Sequence, residues 1–156
     1  MLNWLKSLLR PPEPAGPPRV LQAFGNTQPT ITQGGVAPSE DGWLINAQQA
    51  QTIRLFEVPV SDLEQVRLTY AAKLKAEGLE GKAFLEMWCR FPGRGEFFSK
   101  GLRQPLSGTT DWASFETSFY LRRGQKPDLV KLNLVIEGTG KVGIKELTLS
   151  ETPLKS

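Results

Sequence analysis

The sequence predicts an all-β domain, an antiparallel β-sandwich of about eight strands. Three observations carry that prediction. Several segments alternate strictly between apolar and polar residues, the period of a half-buried strand. Turn residues separate these segments at regular spacing, and the chain holds 15 glycines and 12 prolines. No βαβ pattern and no internal repeat is present. With 156 residues, 39% of them hydrophobic, the chain has the length of one domain and enough apolar side chains for a real core.

Taken in order, residues 1–10 (MLNWLKSLLR) place Leu2, Leu5, Leu8 and Leu9 on one helical stripe, with Lys6 and Arg10 off it. This predicts a short amphipathic N-terminal helix. It is too short to span a bilayer, and it lacks the continuous apolar stretch and small-residue cleavage site of a secretory signal. The expectation is therefore a chain in the cytoplasm or at a membrane periphery. Residues 1–10 would either make a weak membrane-surface contact or dock on the body. Residues 11–18 (PPEPAGPP) hold five prolines and predict a stiff, extended linker. The β-domain is expected over residues 19–152, followed by a short tail, 153–156.

Strands are expected at residues 20–24, 43–47 and 52–58, the last ended by Pro59. Two signals compete over residues 61–77. Ser61 and Glu64 have the spacing of a helix capping box, and Gly78 suits a helix end. Against this, Val66, Leu68, Tyr70, Ala72 and Leu74 alternate with polar or small neighbours. Five alternations outweigh one cap, so a long strand is expected, preceded by a short helical turn. After Gly81, residues 82–91 alternate again, with Ala83, Leu85, Met87, Cys89 and Phe91 on one face. Residues 92–95 read as a turn, 96–100 as a short strand, and 106–111 as a polar loop. Residues 112–121 and 129–137 are further strands. Gly138-Thr139-Gly140 reads as a tight turn before a last strand over 141–150. In that strand Val142 and Ile144 face in, then Leu147 and Leu149; the phase slip at Lys145-Glu146 is the mark of a β-bulge.

Composition excludes much chemistry. The chain has no histidine, which removes His-dependent acid–base catalysis, Ser-His-Asp triads and His-containing metal sites. The single cysteine, Cys89, allows no intrachain disulfide and reads as a small buried hydrophobe. Net charge is +3. Lys6, Arg10 and Arg19 against Glu13 put +2 of it in the first 19 residues, leaving the body at +1. A nucleic-acid partner is not expected, because no dense basic stripe is present. Phosphate-binding and dinucleotide motifs are also missing, so no cofactor and no metal is expected.

A resemblance covers about the last two thirds of the chain. Thr110-Asp111-Trp112, Phe119, the run from Leu132 to Gly140, and Val142-Gly143-Ile144-Lys145-Glu146-Leu147-Thr148-Leu149 resemble the final strands of galactose-binding-like jelly rolls, the fold of many carbohydrate-binding modules. Gly143 stands where that pattern has an aromatic residue. Lys145-Glu146 stands where it has an acidic pair, which argues against carrying over the structural calcium ion of some members. The resemblance implies a jelly roll and a non-catalytic, carbohydrate-binding role.

Two candidate sites follow. On one strand Phe84, Glu86, Trp88 and Arg90 share the face opposite Leu85 and Met87, and Arg67, Lys73, Glu116, Tyr120 and Asn133 are candidates to join them. An aromatic platform ringed by carboxylate, guanidinium and amide groups suits a sugar, whose C–H face stacks on the ring. The same aromatics would equally serve as packing beneath a wrapping segment. The second candidate is the glycine-flanked stretch 95–101, with Phe97 and Phe98. A glycosidase would need a carboxylate pair such as Glu86 and Glu116 at a fixed separation, which a short chain without a deep cleft does not favour. The expected partners are a glycan or a protein.

Overall fold

The computed structural model describes residues 12–155. The predicted amphipathic helix and its membrane contact, residues 1–10, lie outside the described residues. All regular structure within them is antiparallel β. The strands are β1 (Arg19–Phe24), β2 (Val36–Ser39), β3 (Gly42–Ala47), β4 (Gln51–Pro59), β5 (Val66–Phe91), β6 (Gly95–Lys100), β7 (Leu106–Leu121) and β8 (Leu129–Pro153).

Two very long strands organise the fold. β5 and β8 pair along their whole lengths, from Val66 opposite Pro153 to Arg90 opposite Leu129. The outer edge of β8 carries β1, β3 and β4 in turn. The outer edge of β5 carries β7 along its first arm and β6 along its second. β2 extends the sheet beyond β3.

Several expectations are corrected here. No helical turn precedes β5: Asp62 and Gln65 take positive φ angles of 58° and 54°, so the Ser61-to-Glu64 signal caps nothing. Residues 106–111 are not a loop but the start of β7, paired to β5 through an irregular register. Gly138-Thr139-Gly140 is not a turn; Gly78 ends no helix and Gly81 opens no separate strand, both lying within β5. Instead, Gly81 lies directly opposite Gly138 where the paired strands bend together. Their φ angles are 105° and 157°. A Cβ on either would strike the other strand's backbone, on Gly81 the carbonyl of Glu137 and on Gly138 that of Glu80. Glycine there lets the ribbon crease, with the ladder slipping register between Glu77 and Glu80.

The inward faces of both arms meet in one core. Leu68, Tyr70 and Leu74 enter it from the first arm of β5, and Leu85, Met87 and Cys89 from the second. β8 adds Leu132, Leu134, Ile144, Leu147 and Leu149, all buried. The bulge expected at Lys145-Glu146 is present: Lys145 opposes Lys73 and Thr148 opposes Ala71, and Glu146 takes φ 53°. That extra residue switches phase, so Ile144 and Leu147 both point inward. Residues 13–15 run beside the end of β8, with Ala15 N–H donating to Pro153 O and Lys155 N–H to Glu13 O.

Candidate functional site

Two surfaces collect the chemistry-bearing side chains. The first is the outward face of the second arm. Alternation sends Glu86 and Trp88 to the same side of β5, two residues apart. The Trp88 indole N–H donates to Glu86 Oε1 at 2.8 Å. Asn133, opposite Glu86 on β8, donates its amide to the same oxygen at 2.9 Å. Lys100, opposite Glu86 on β6, brings Nζ to 3.6 Å from Oε2. The carboxylate is buried, yet it faces three donors, which is what a buried charge requires. Phe98 packs against Trp88 with ring centroids 5.0 Å apart and stays 53% exposed. Lys100 Nζ stands 4.7 Å from the Phe98 ring centroid, a cation–π contact.

The charges of this face are matched. Arg90 pairs with Asp128 at 2.8 Å, Lys131 with Glu96 at 2.6 Å, and Arg54 with Glu57 at 3.0 Å. The hydrogen bond and charge of Arg90 hold the Asp128 carboxyl below the usual carboxylate range.

The second surface is a groove of about 1430 Å³ where the edge of β7 meets the end of β6 and the 101–105 loop. The two edges are tied together: Ser99 Oγ lies 2.6 Å from Thr117 Oγ1 and donates to Ser118 O at 2.7 Å. Gly101 N–H donates to Leu85 O at 2.9 Å and pins the loop. Small residues, Ala71, Ser114 and Ser118, keep the floor low. Lys73, Glu116 and Tyr120 rise from the sheet, with Arg103 and Arg122 at the margins. Lys73 pairs with Glu146 at 3.0 Å. Among the described residues, Glu116, Arg103 and Arg122 form no ion pair.

The sequence-predicted residues therefore divide. Glu86, Trp88 and Asn133 form one hydrogen-bonded cluster, with Arg90 farther along the same strand. Phe84 is on that face but only 2% exposed, opposite buried Val135. Lys73 and Glu116 line the groove. Arg67 sits between Tyr120 and Thr152, and its buried Nε meets no partner among the described residues. Sequence reasoning placed Lys100 only within the separate 95–101 candidate and left out Arg103 and Arg122. Lys100 was reachable from the alternation of the 96–100 strand; the two arginines flank a strand and carry no periodic signal.

Glu86 faces the Trp88 and Asn133 donors and the Lys100 ammonium, while Glu116 stands on β7 opposite Ala71. Among the described residues no group of His, Cys, Asp and Glu is placed to hold a metal ion. Burial pushes the Cys89 thiol up to about 12, so it stays protonated at neutral pH. No helix among the described residues is long and apolar enough to cross a membrane.

No protein-family model matches the chain, and no curated protein matches it in sequence. Solved structures do match. A CBM4 module aligns at 13% identity and TM-score 0.54, over 74% of each chain. The xylan-binding CBM22-1 domain of Paenibacillus barcinonensis Xyn10C aligns at 10% identity and TM-score 0.53, over 88% of this chain and 97% of that one. A chain of infectious bursal disease virus, Gx strain, aligns at 14% identity and TM-score 0.51, over 90% of this chain and 34% of that one. At these identities the likeness is one of fold: the chain shares the fold of carbohydrate-binding modules. The viral neighbour marks how widely such a fold is used.

Proposed function

We propose that this protein is a non-catalytic, carbohydrate-binding-like module of the jelly-roll sandwich type, with a saccharide lying in the groove between β7 and the 101–105 loop. The groove is the observation that carries this reading. It is concave, floored by small residues and walled by hydroxyl groups; Glu116, with no ion-pair partner among the described residues, can accept from sugar hydroxyls, and Tyr120 can stack or donate. Likeness of fold to carbohydrate-binding modules supports it. Isothermal titration with a panel of neutral and acidic oligosaccharides tests it, comparing wild type with Glu116→Ala and Tyr120→Ala. Binding by the wild type that weakens in both variants is expected. Failure of the wild type to bind any member would overturn it.

A second reading places the sugar against Trp88 and Phe98. The half-exposed Phe98 ring beside a braced indole favours it. Phe98→Ala separates the two: it should abolish binding on this reading and leave groove binding unchanged.

A further inference from the structure

The two surfaces differ in charge balance, and the difference bears on which saccharide the groove takes. On the Trp88 face each of Arg54, Arg90, Lys100 and Lys131 has a carboxylate partner. In the groove, four cationic side chains (Lys73, Lys100, Arg103 and Arg122) stand against two acidic ones, Glu116 and Glu146. These six side chains sum to +2; Lys100 is matched by Glu86, which lies outside the lining, so the unmatched surplus is +1, on a chain whose whole net charge is +3. The surplus lies with the arginines. Lys73 is held by Glu146, and Lys100 is directed to Glu86. Arg103 and Arg122 form no ion pair among the described residues.

We propose that the groove binds an acidic saccharide, one bearing carboxylates of the uronic-acid type; this rests on the groove being the saccharide site. A guanidinium presents a planar fork of donors that matches a carboxylate with two parallel hydrogen bonds, which an ammonium does not. A concave surface also concentrates the field of its own charges and so raises the local concentration of an anionic ligand. The hydroxyls of Ser114, Ser118 and Tyr120 and the carboxylate of Glu116 supply partners for the sugar hydroxyls between successive acid groups. A neutral glucan or xylan would gain nothing from the charge of the two exposed arginines.

Titration of the full-length protein with oligogalacturonate, with its methyl esters, and with neutral xylo-oligosaccharide provides the test. Tight binding of the acid and at least a tenfold loss on esterification is expected, since a charge-assisted hydrogen bond is worth roughly a factor of ten. Arg103→Ala and Arg122→Ala should each weaken the acid about tenfold. Arg94→Ala, which removes an exposed arginine outside the groove lining, should leave it unchanged. Equal binding of acid, ester and xylo-oligosaccharide would overturn the charge inference while leaving the groove as a saccharide site. Binding of none of them would remove both. Equal binding of dextran sulfate or single-stranded DNA, lost at high salt, would overturn the inference in favour of unspecific attraction to polyanions.

Discussion

Glu86 and Trp88, two residues apart on one strand, are joined by a 2.8 Å hydrogen bond from the indole N–H to the carboxylate. The bond fixes the indole on the sheet surface while Asn133 and Lys100 complete the acceptor's surroundings. Removing the carboxylate strands two donors in a partly dry site. We expect Glu86→Ala to lower stability by about 3 kcal/mol and Glu86→Gln by about 1 kcal/mol, because the amide keeps one acceptor. Thermal melts followed by tryptophan fluorescence measure this. Wild-type melts for both variants would show that the cluster contributes nothing.

Tyr70 presents the reverse case. Its ring is fully buried in the core, and its hydroxyl meets no hydrogen-bond partner among the described residues. Desolvation raises its pKa well above the ordinary phenol value. Tyr70→Phe removes a desolvated polar group at little cost in packing, and should raise stability by about 1 kcal/mol. Chemical denaturation reads this directly, and a clear loss would mean that the hydroxyl has a partner in solution.

Gly138 at the crease tolerates no side chain. Its φ of 157° is combined with the Glu80 carbonyl standing where a Cβ would go. Gly138→Ala should cost about 3 kcal/mol or more. Gly34→Ala serves as the control, since a Cβ there meets nothing within 4 Å. Comparable urea midpoints for the two variants would contradict a closely packed crease.

Cys89 is buried and its thiol is pushed up to about 12. A thiol-reactive dye at pH 8 should label the native protein only at the rate of its unfolding, and label it at once in denaturant. Fast labelling of the native state would place the thiol at the surface.

The Arg90–Asp128 pair gives a pH signature. Asp128 has its carboxyl pKa lowered by Arg90, so the folded value lies below the unfolded one. The pair's contribution is therefore complete above the ordinary aspartate value, about 3.9, and disappears as pH falls through the lower folded value. Both groups are exposed, so the effect is small and salt-sensitive. Asp128→Asn should melt slightly below wild type at neutral pH and low salt. The two should coincide in strong acid; a gap that persists there would assign the effect to something other than charge.

Strict alternation made the two arms of β5 and the strands after Trp112 legible from sequence, because a half-buried strand writes its pleat into the residue order. Leu106 to Asp111 was illegible for the opposite reason. After buried Leu106 these residues are all exposed, so no apolar partner marks the strand. The glycines at 78, 81, 138 and 140 were recognised as special but assigned commoner tasks: Gly78 a helix end, Gly81 the opening of a strand, and Gly138 and Gly140 a reversal of the chain. A single sequence does not distinguish a reversal from a crease, since the distinction lies in what stands across from each glycine. The face shared by Glu86 and Trp88 followed from spacing alone. The groove did not, because it joins Lys73, Glu116 and a loop arginine from three separate stretches.

The pairing of β8 with β1, β3, β4 and β5 has a consequence for how the protein comes to be folded. β8 is the last of these strands to be synthesised, and every earlier one except β2, β6 and β7 needs it as an immediate neighbour. A nascent chain lacking β8 would hold β4 and the long β5 with open edges and bare apolar faces. Such a topology, dominated by contacts between distant residues, folds slowly. The domain should therefore collapse only after β8 clears the ribosome, and its exposure to aggregation should be greatest just before that moment.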